Sequence, residues 1–167
     1  LHSDHVSGLG DLCRARPQQQ LPVFMTNWQA TESNYTTASG LTEIHESPCA
    51  EIRRLDTGPL YTVPGFDGVS LIAAAGHTPG SQLVAVHLAT EPGVSRLHVI
   101  VGDIVNNIDG IRYNIPKPSL YRFLVVPESE ERLNTLRRLL HALHREHGAA
   151  LIVSHDELHL LASGLPR

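Results

Sequence analysis

His2, Asp4 and His5 stand within the first five residues, and Val6-Ser7-Gly8 follows them. Two imidazoles and a carboxylate crowded onto one short turn make a nitrogen and oxygen donor set that suits a divalent metal, zinc first. No Met precedes the cluster, so the expectation is a chain cut within its own metal motif.

Three more residues of the same chemistry each follow an apolar run that reads as a strand. His77 lies in Gly76-His77-Thr78-Pro79-Gly80-Ser81 after Val69 to Ala75, and Asp103 follows Leu97 to Val101 in Gly102-Asp103. His155 follows Leu151 to Val153 in Ser154-His155-Asp156. Ligand positions must hold within fractions of an ångström, and rigid strand ends are a good mount. Strands ending at one edge would bring these distant loops to a single place. Gly76, Gly80 and Gly102 fit turns where the backbone bends sharply or takes a positive φ.

Regular elements must carry these turns. Leu9 to Arg16 reads as a short helix and Pro22 to Thr26 as a strand, while Trp28 to Ser39 fits helix or loop. Ile52 to Leu55, Val69 to Ala75, Leu83 to Ala89 and Leu97 to Val101 alternate with turns such as Glu91-Pro92-Gly93, predicting a largely antiparallel or mixed sheet. Tyr113 to Pro118 reads as a loop. Pro127 then opens a helix with Glu128, Glu130 and Glu131 in its first turn, where the dipole favours acids. Leu133, Leu136, Leu139, Leu140 and Leu143 give it one apolar face, and Gly148 ends it before a strand over Ala150 to Val153. Sheet followed by packed helix predicts an α/β layered arrangement.

At 167 residues and 41% hydrophobic the chain suits one domain, 1–167, with a single core. A net charge of −4 and only paired arginines, Arg53-Arg54 and Arg137-Arg138, argue against a nucleic-acid surface. No apolar run reaches the roughly 18 residues of a membrane span. Cys13 and Cys49 lack metal spacing and do not make a disulfide framework, so they read as structural or incidental, in keeping with a reducing, cytoplasmic setting. His141, His144 and His147 fall beside the leucine stripe and read as a solvated face, and His45, His87, His98 and His159 are assigned no ligand role.

These motifs, in this order and across essentially the whole chain, resemble the metallo-β-lactamase-fold hydrolase superfamily. The superfamily's opening motif is H-x-H-x-D-H, of which His2-Ser3-Asp4-His5 supplies the last four positions. The resemblance implies an αββα sandwich whose first sheet is largely missing here. It also implies two zinc ions per intact domain: one held by His2, His77 and a His before Leu1, the other by Asp4, His5 and His155, with Asp103 bridging. By that count the first ion is weakly held in this chain. The implied chemistry is hydrolysis of an ester, lactone or thioester by a metal-bound hydroxide, with Asp4 taking a proton.

The short stretch after His155 disfavours the glyoxalase II-like branch, and the negative charge disfavours the RNA-processing members. Quorum-quenching lactonases share these strings but carry a Tyr shortly after the bridging Asp. Here Ile104-Val105-Asn106-Asn107 stands there, with Tyr113 and Tyr121 the nearest replacements. The partner expected is a small-molecule substrate, with no nucleic acid, no membrane and no assignable oligomeric state. The competing expectation is a non-catalytic or incomplete fragment of the fold that binds a single metal.

Overall fold

Gly8, at φ 110°, turns the chain out of a 3-10 turn over Ser3–His5 and into helix α1 (Leu9–Ala15). The computed structural model describes residues 2–31, 38–56, 58–91 and 93–162. They divide into two compact units, 1–57 and 58–167.

In the first unit α1 is followed by β1 (Leu21–Thr26), α2 (Asn27–Thr31), α3 (Ala38–Glu46) and β2 (Ala50–Leu55). β1 and β2 pair in parallel, from Leu21 opposite Ala50 to Thr26 opposite Leu55. Parallel neighbours need a long crossover, and the chain carrying α2 and α3 supplies it. The strand expected at Ile52 to Leu55 therefore belongs to this pair and not to the larger sheet. Of the ambiguous stretch Trp28 to Ser39, the beginning is α2 and the end lies in α3, while 32–37 fall outside the described residues. The Gly10 amide donates to Glu43 Oε1 at 2.7 Å, tying α1 to α3.

The cysteines correct the sequence reading. Cys13 on α1 and Cys49 before β2 are both buried and joined by a disulfide, with Cα atoms 5.3 Å apart. Spacing in the sequence could not show this, because folding brings together residues 36 apart. The argument for a reducing compartment, which rested on unpaired thiols, falls with it.

The second unit holds a five-stranded sheet of order β3-β4-β5-β6-β7, made of Leu60–Thr62, Val69–Ala73, Gln82–Glu91, Val94–Gly102 and Ala150–Val153. The first three pairings are antiparallel and β6–β7 is parallel. β4, β6 and β7 therefore run in one direction and end at one edge. Between β6 and β7 come α4 (Ile108–Arg112), α5 (Ser119–Leu124) and α6 (Glu130–His147), and α7 (Glu157–Ala162) follows β7.

The core forms where α4 and α6 cover one sheet face. Ala85, Val99 and Leu151 make one cross-strand row on it, buried with Leu83, Val101, Val153, Ile108, Ile111, Leu133 and Leu140. The leucine stripe holds at Leu133, Leu136, Leu140 and Leu143, but Leu139 lies on the outer side and is 44% exposed. The other sheet face carries Leu71, Val84, Ile100 and Ile152, so the sheet is apolar on both sides, as a sandwich layer is.

Pro127 does not open α6. Ser129 keeps an extended backbone and its amide donates to the Gly76 carbonyl at 2.9 Å, so the helix starts at Glu130. Glu128 is thereby withheld from the first turn. α6 also buries Arg137 inside a polar network: Nε donates to Asn114 Oδ1 at 2.9 Å and Nη2 to Glu130 Oε1 at 2.6 Å. Asn114, at φ 53°, donates in turn to Asn134, and this fastens the loop after α4 to the helix. Among the described residues no helix is long and apolar enough to cross a membrane.

Candidate metal centre

His77 arrives four residues past β4, Asp103 directly after β6 and His155 two residues past β7. Their strands share a direction, so these turns meet at one edge. His77 Nε2 lies 3.3 Å from Asp103 Oδ2, and His155 Nε2 lies 3.0 Å from Asp103 Oδ1. One carboxylate thus faces two imidazoles, one on each oxygen. His77 and Asp103 are largely covered, while His155 opens to solvent.

The His77 turn is locked by its own residues. The Thr78 amide donates to Ser81 Oγ at 3.0 Å, their hydroxyls lie 2.9 Å apart, and the Ser81 amide returns to the Thr78 carbonyl at 3.2 Å. Gly76 permits close packing on α6, because a Cβ there would lie 2.9 Å from Leu133 Cδ2. Gly102 meets the other expectation for these glycines, with φ 57° at the end of β6.

Two residues that sequence reasoning missed stand behind His77 and Asp103. Glu128 Oε1 lies 2.6 Å from His77 Nδ1. Lys117 Nζ donates to the same oxygen at 2.6 Å and to the Asp103 carbonyl at 2.5 Å. Burial alone would lower the His77 pKa, but its hydrogen bonds to Asp103 and Glu128 outweigh that and raise it. Burial likewise works to raise the Glu128 pKa, yet the bonds from His77 and Lys117 bring it below the usual carboxylate value. The only hint in the sequence was the Pro-Glu pair before a helix, which read as an ordinary first turn.

Asp156, beside His155, is structural. Its carboxylate accepts from the Ile108 amide at 2.9 Å and the His159 amide at 3.0 Å, capping α7, and these bonds lower its pKa. His159 Nε2 lies 2.8 Å from the Leu151 carbonyl.

In the first unit His2, Asp4 and His5 share the opening turn, closed by the His5 amide donating to the His2 carbonyl at 3.1 Å. His5 Nε2 and Asp4 Oδ2 lie 3.6 Å apart, and both side chains are solvent-accessible.

No family model and no curated protein matches the sequence. Solved structures do match. An N-acyl homoserine lactone hydrolase with N-hexanoyl-L-homoserine at its catalytic metal centre is similar over 86% of this chain and 50% of its own, with TM-score 0.58 and 16% identity. The chain has the metallo-β-lactamase fold. A quorum-quenching N-acyl homoserine lactone lactonase matches the same fold over 84% of this chain and 51% of its own, with TM-score 0.56 and 16% identity. A variant lactonase from B. thuringiensis with N-decanoyl-L-homoserine at its active site matches at TM-score 0.57 and 16% identity, over 84% of this chain and 49% of its own. The chain therefore spans about half the length of these metallo-β-lactamase-fold structures. Directly after Asp103, where the sequence resemblance to lactonases leads one to expect a Tyr, Ile104 and Val105 are buried in the core. Tyr113 is exposed, and the Tyr121 ring lies 5.1 Å from Lys117 Nζ.

Proposed function

We propose that this chain carries the metal centre of a zinc-dependent hydrolase acting on a lactone, ester or thioester, within one metallo-β-lactamase domain spanning 1–167. The observation that carries it is the meeting of His77, Asp103 and His155 at 3.0–3.3 Å on one sheet edge. The donor chemistry fits: imidazoles and a carboxylate are zinc ligands, and a buried carboxylate already holds the far nitrogen of His77, as outer-shell partners do.

In this reading, which follows the resemblance of the sequence motifs, His2, His77 and Asp103 would hold one ion, and Asp4, His5, Asp103 and His155 the other. Zinc, when bound, polarises a carbonyl and lowers the pKa of water towards about 7. The chain's own residues do the rest. Asp103 and the two imidazoles beside it would set where the substrate's carbonyl is presented, and Asp4 is the carboxylate that the resemblance assigns to take the proton lost by the attacking water. Acyl lactones are the first substrates to test, because the structural neighbours hold acyl-homoserines at their active sites.

The test is ring opening of N-hexanoyl homoserine lactone, alongside a simple ester and a thioester, by the zinc-loaded chain and by any longer natural form of it. Hydrolysis that chelation abolishes and zinc restores is expected. A fully loaded protein inert towards all three classes would instead favour the non-catalytic, single-metal reading.

A further inference from the structure

We propose that Glu128 is the positioning residue of this centre, fixing the tautomer and direction of His77, with Lys117 as its charge partner and the clamp on the Asp103 backbone; this rests on the metal-site reading above. The Glu128 side chain is 0% exposed and that of Lys117 3%. Two charges so deeply buried lose their hydration, a cost that a close pair offsets only in part. A buried ion pair is therefore a weak stabiliser, and its placement is the informative feature. It touches two of the three meeting ligands.

Glu128 Oε1 receives both Lys117 Nζ and His77 Nδ1 at 2.6 Å. Ammonium nitrogens have no acceptor, so the 3.4 Å between Lys117 Nζ and His77 Nδ1 separates two donors that share one oxygen. The hydrogen on Nδ1 is thus committed to Glu128, and in the neutral ring Nε2, facing Asp103, carries the lone pair a metal requires. Lys117 also pins the Asp103 carbonyl, so one ammonium ties the loop after β6 to the segment before α6. Lys117 is itself held in place, since its loop is fastened to α6 through Asn114, Asn134 and Arg137.

Two readouts test this. In the metal-free protein at alkaline pH, ¹⁵N spectra should show His77 protonated at Nδ1 in the wild type and in Glu128→Gln, whose amide oxygen still accepts. The Nε2–H tautomer in the wild type would overturn the proposal. By chelator competition, Glu128→Ala should bind zinc about 10–100-fold more weakly than wild type, with Glu128→Gln close to wild type. Equal affinity in all three, or Gln as weak as Ala, would also overturn it. Lys117→Met should lower the unfolding midpoint by stranding a buried carboxylate, and Lys117→Met with Glu128→Gln should recover part of the loss. An unchanged midpoint in the single variant contradicts the charge-partner role. Should Glu128→Ala fail to fold, the tautomer in wild type and Glu128→Gln decides. A wild type that binds no zinc yet shows the Nδ1–H tautomer keeps the positioning and removes the functional reading.

Discussion

Gly102 pairs with Val153 across the parallel β6–β7 pair, one step out of the register that Ile100 keeps with Ile152. Two residues advance on β6 for one on β7, a bulge of the kind that re-aims a side chain at a strand end. Asp103 follows this bulge directly and lies 3.0 Å from His155.

Gly102→Ala should therefore cost about 1–2 kcal/mol, the penalty of a left-handed backbone for a residue with a Cβ. No atom lies within 4 Å of a Cβ built there, so the cost is conformational and not steric. Gly102→Asn should cost less, because Asn tolerates this region. Urea unfolding of the three proteins checks it, and equal midpoints would show that the φ of 57° carries no constraint.

His159→Ala should leave zinc affinity unchanged while lowering stability by about 1 kcal/mol, through loss of its bond to the Leu151 carbonyl. For a domain of this size that is a fall of roughly 2–4 °C in the unfolding midpoint. A variant that loses zinc but not stability would make His159 a ligand after all.

Reducing the Cys13–Cys49 bond should destabilise the chain by about 2–4 kcal/mol, because a closed loop of this length restrains the unfolded ensemble. Unfolding with and without reductant measures this. Identical curves would remove the disulfide from the account.

The strand ends were legible in the sequence because apolar runs broken by Gly-His, Gly-Asp and Ser-His leave few other readings. The leucine stripe of α6 was equally plain, apart from Leu139, whose place on the outer side depends on the angle at which the helix meets the sheet. What stayed hidden depends on contacts across sequence distance. Glu128 reads locally as a helix-dipole acid, and only the Ser129 amide on the Gly76 carbonyl keeps it out of the helix. Lys117 lies in a stretch that reads only as a loop, and Arg137 reads as half of a solvated pair, because nothing local marks a charge for burial. Cys13 and Cys49 were invisible as partners for the same reason. The parallel β1–β2 pair was missed because a short apolar run does not name its neighbour.

The central claim is that Asp103 joins His77 and His155 in one metal site, and zinc titration of the wild-type chain beside Asp103→Ala tests it most directly. The account predicts that wild type binds zinc. Asp103→Ala should lose more affinity than the roughly 10–100-fold that removing an outer-shell partner costs. An Asp103→Ala protein that stays folded and binds zinc as tightly as wild type, or a wild type that binds none, would contradict it.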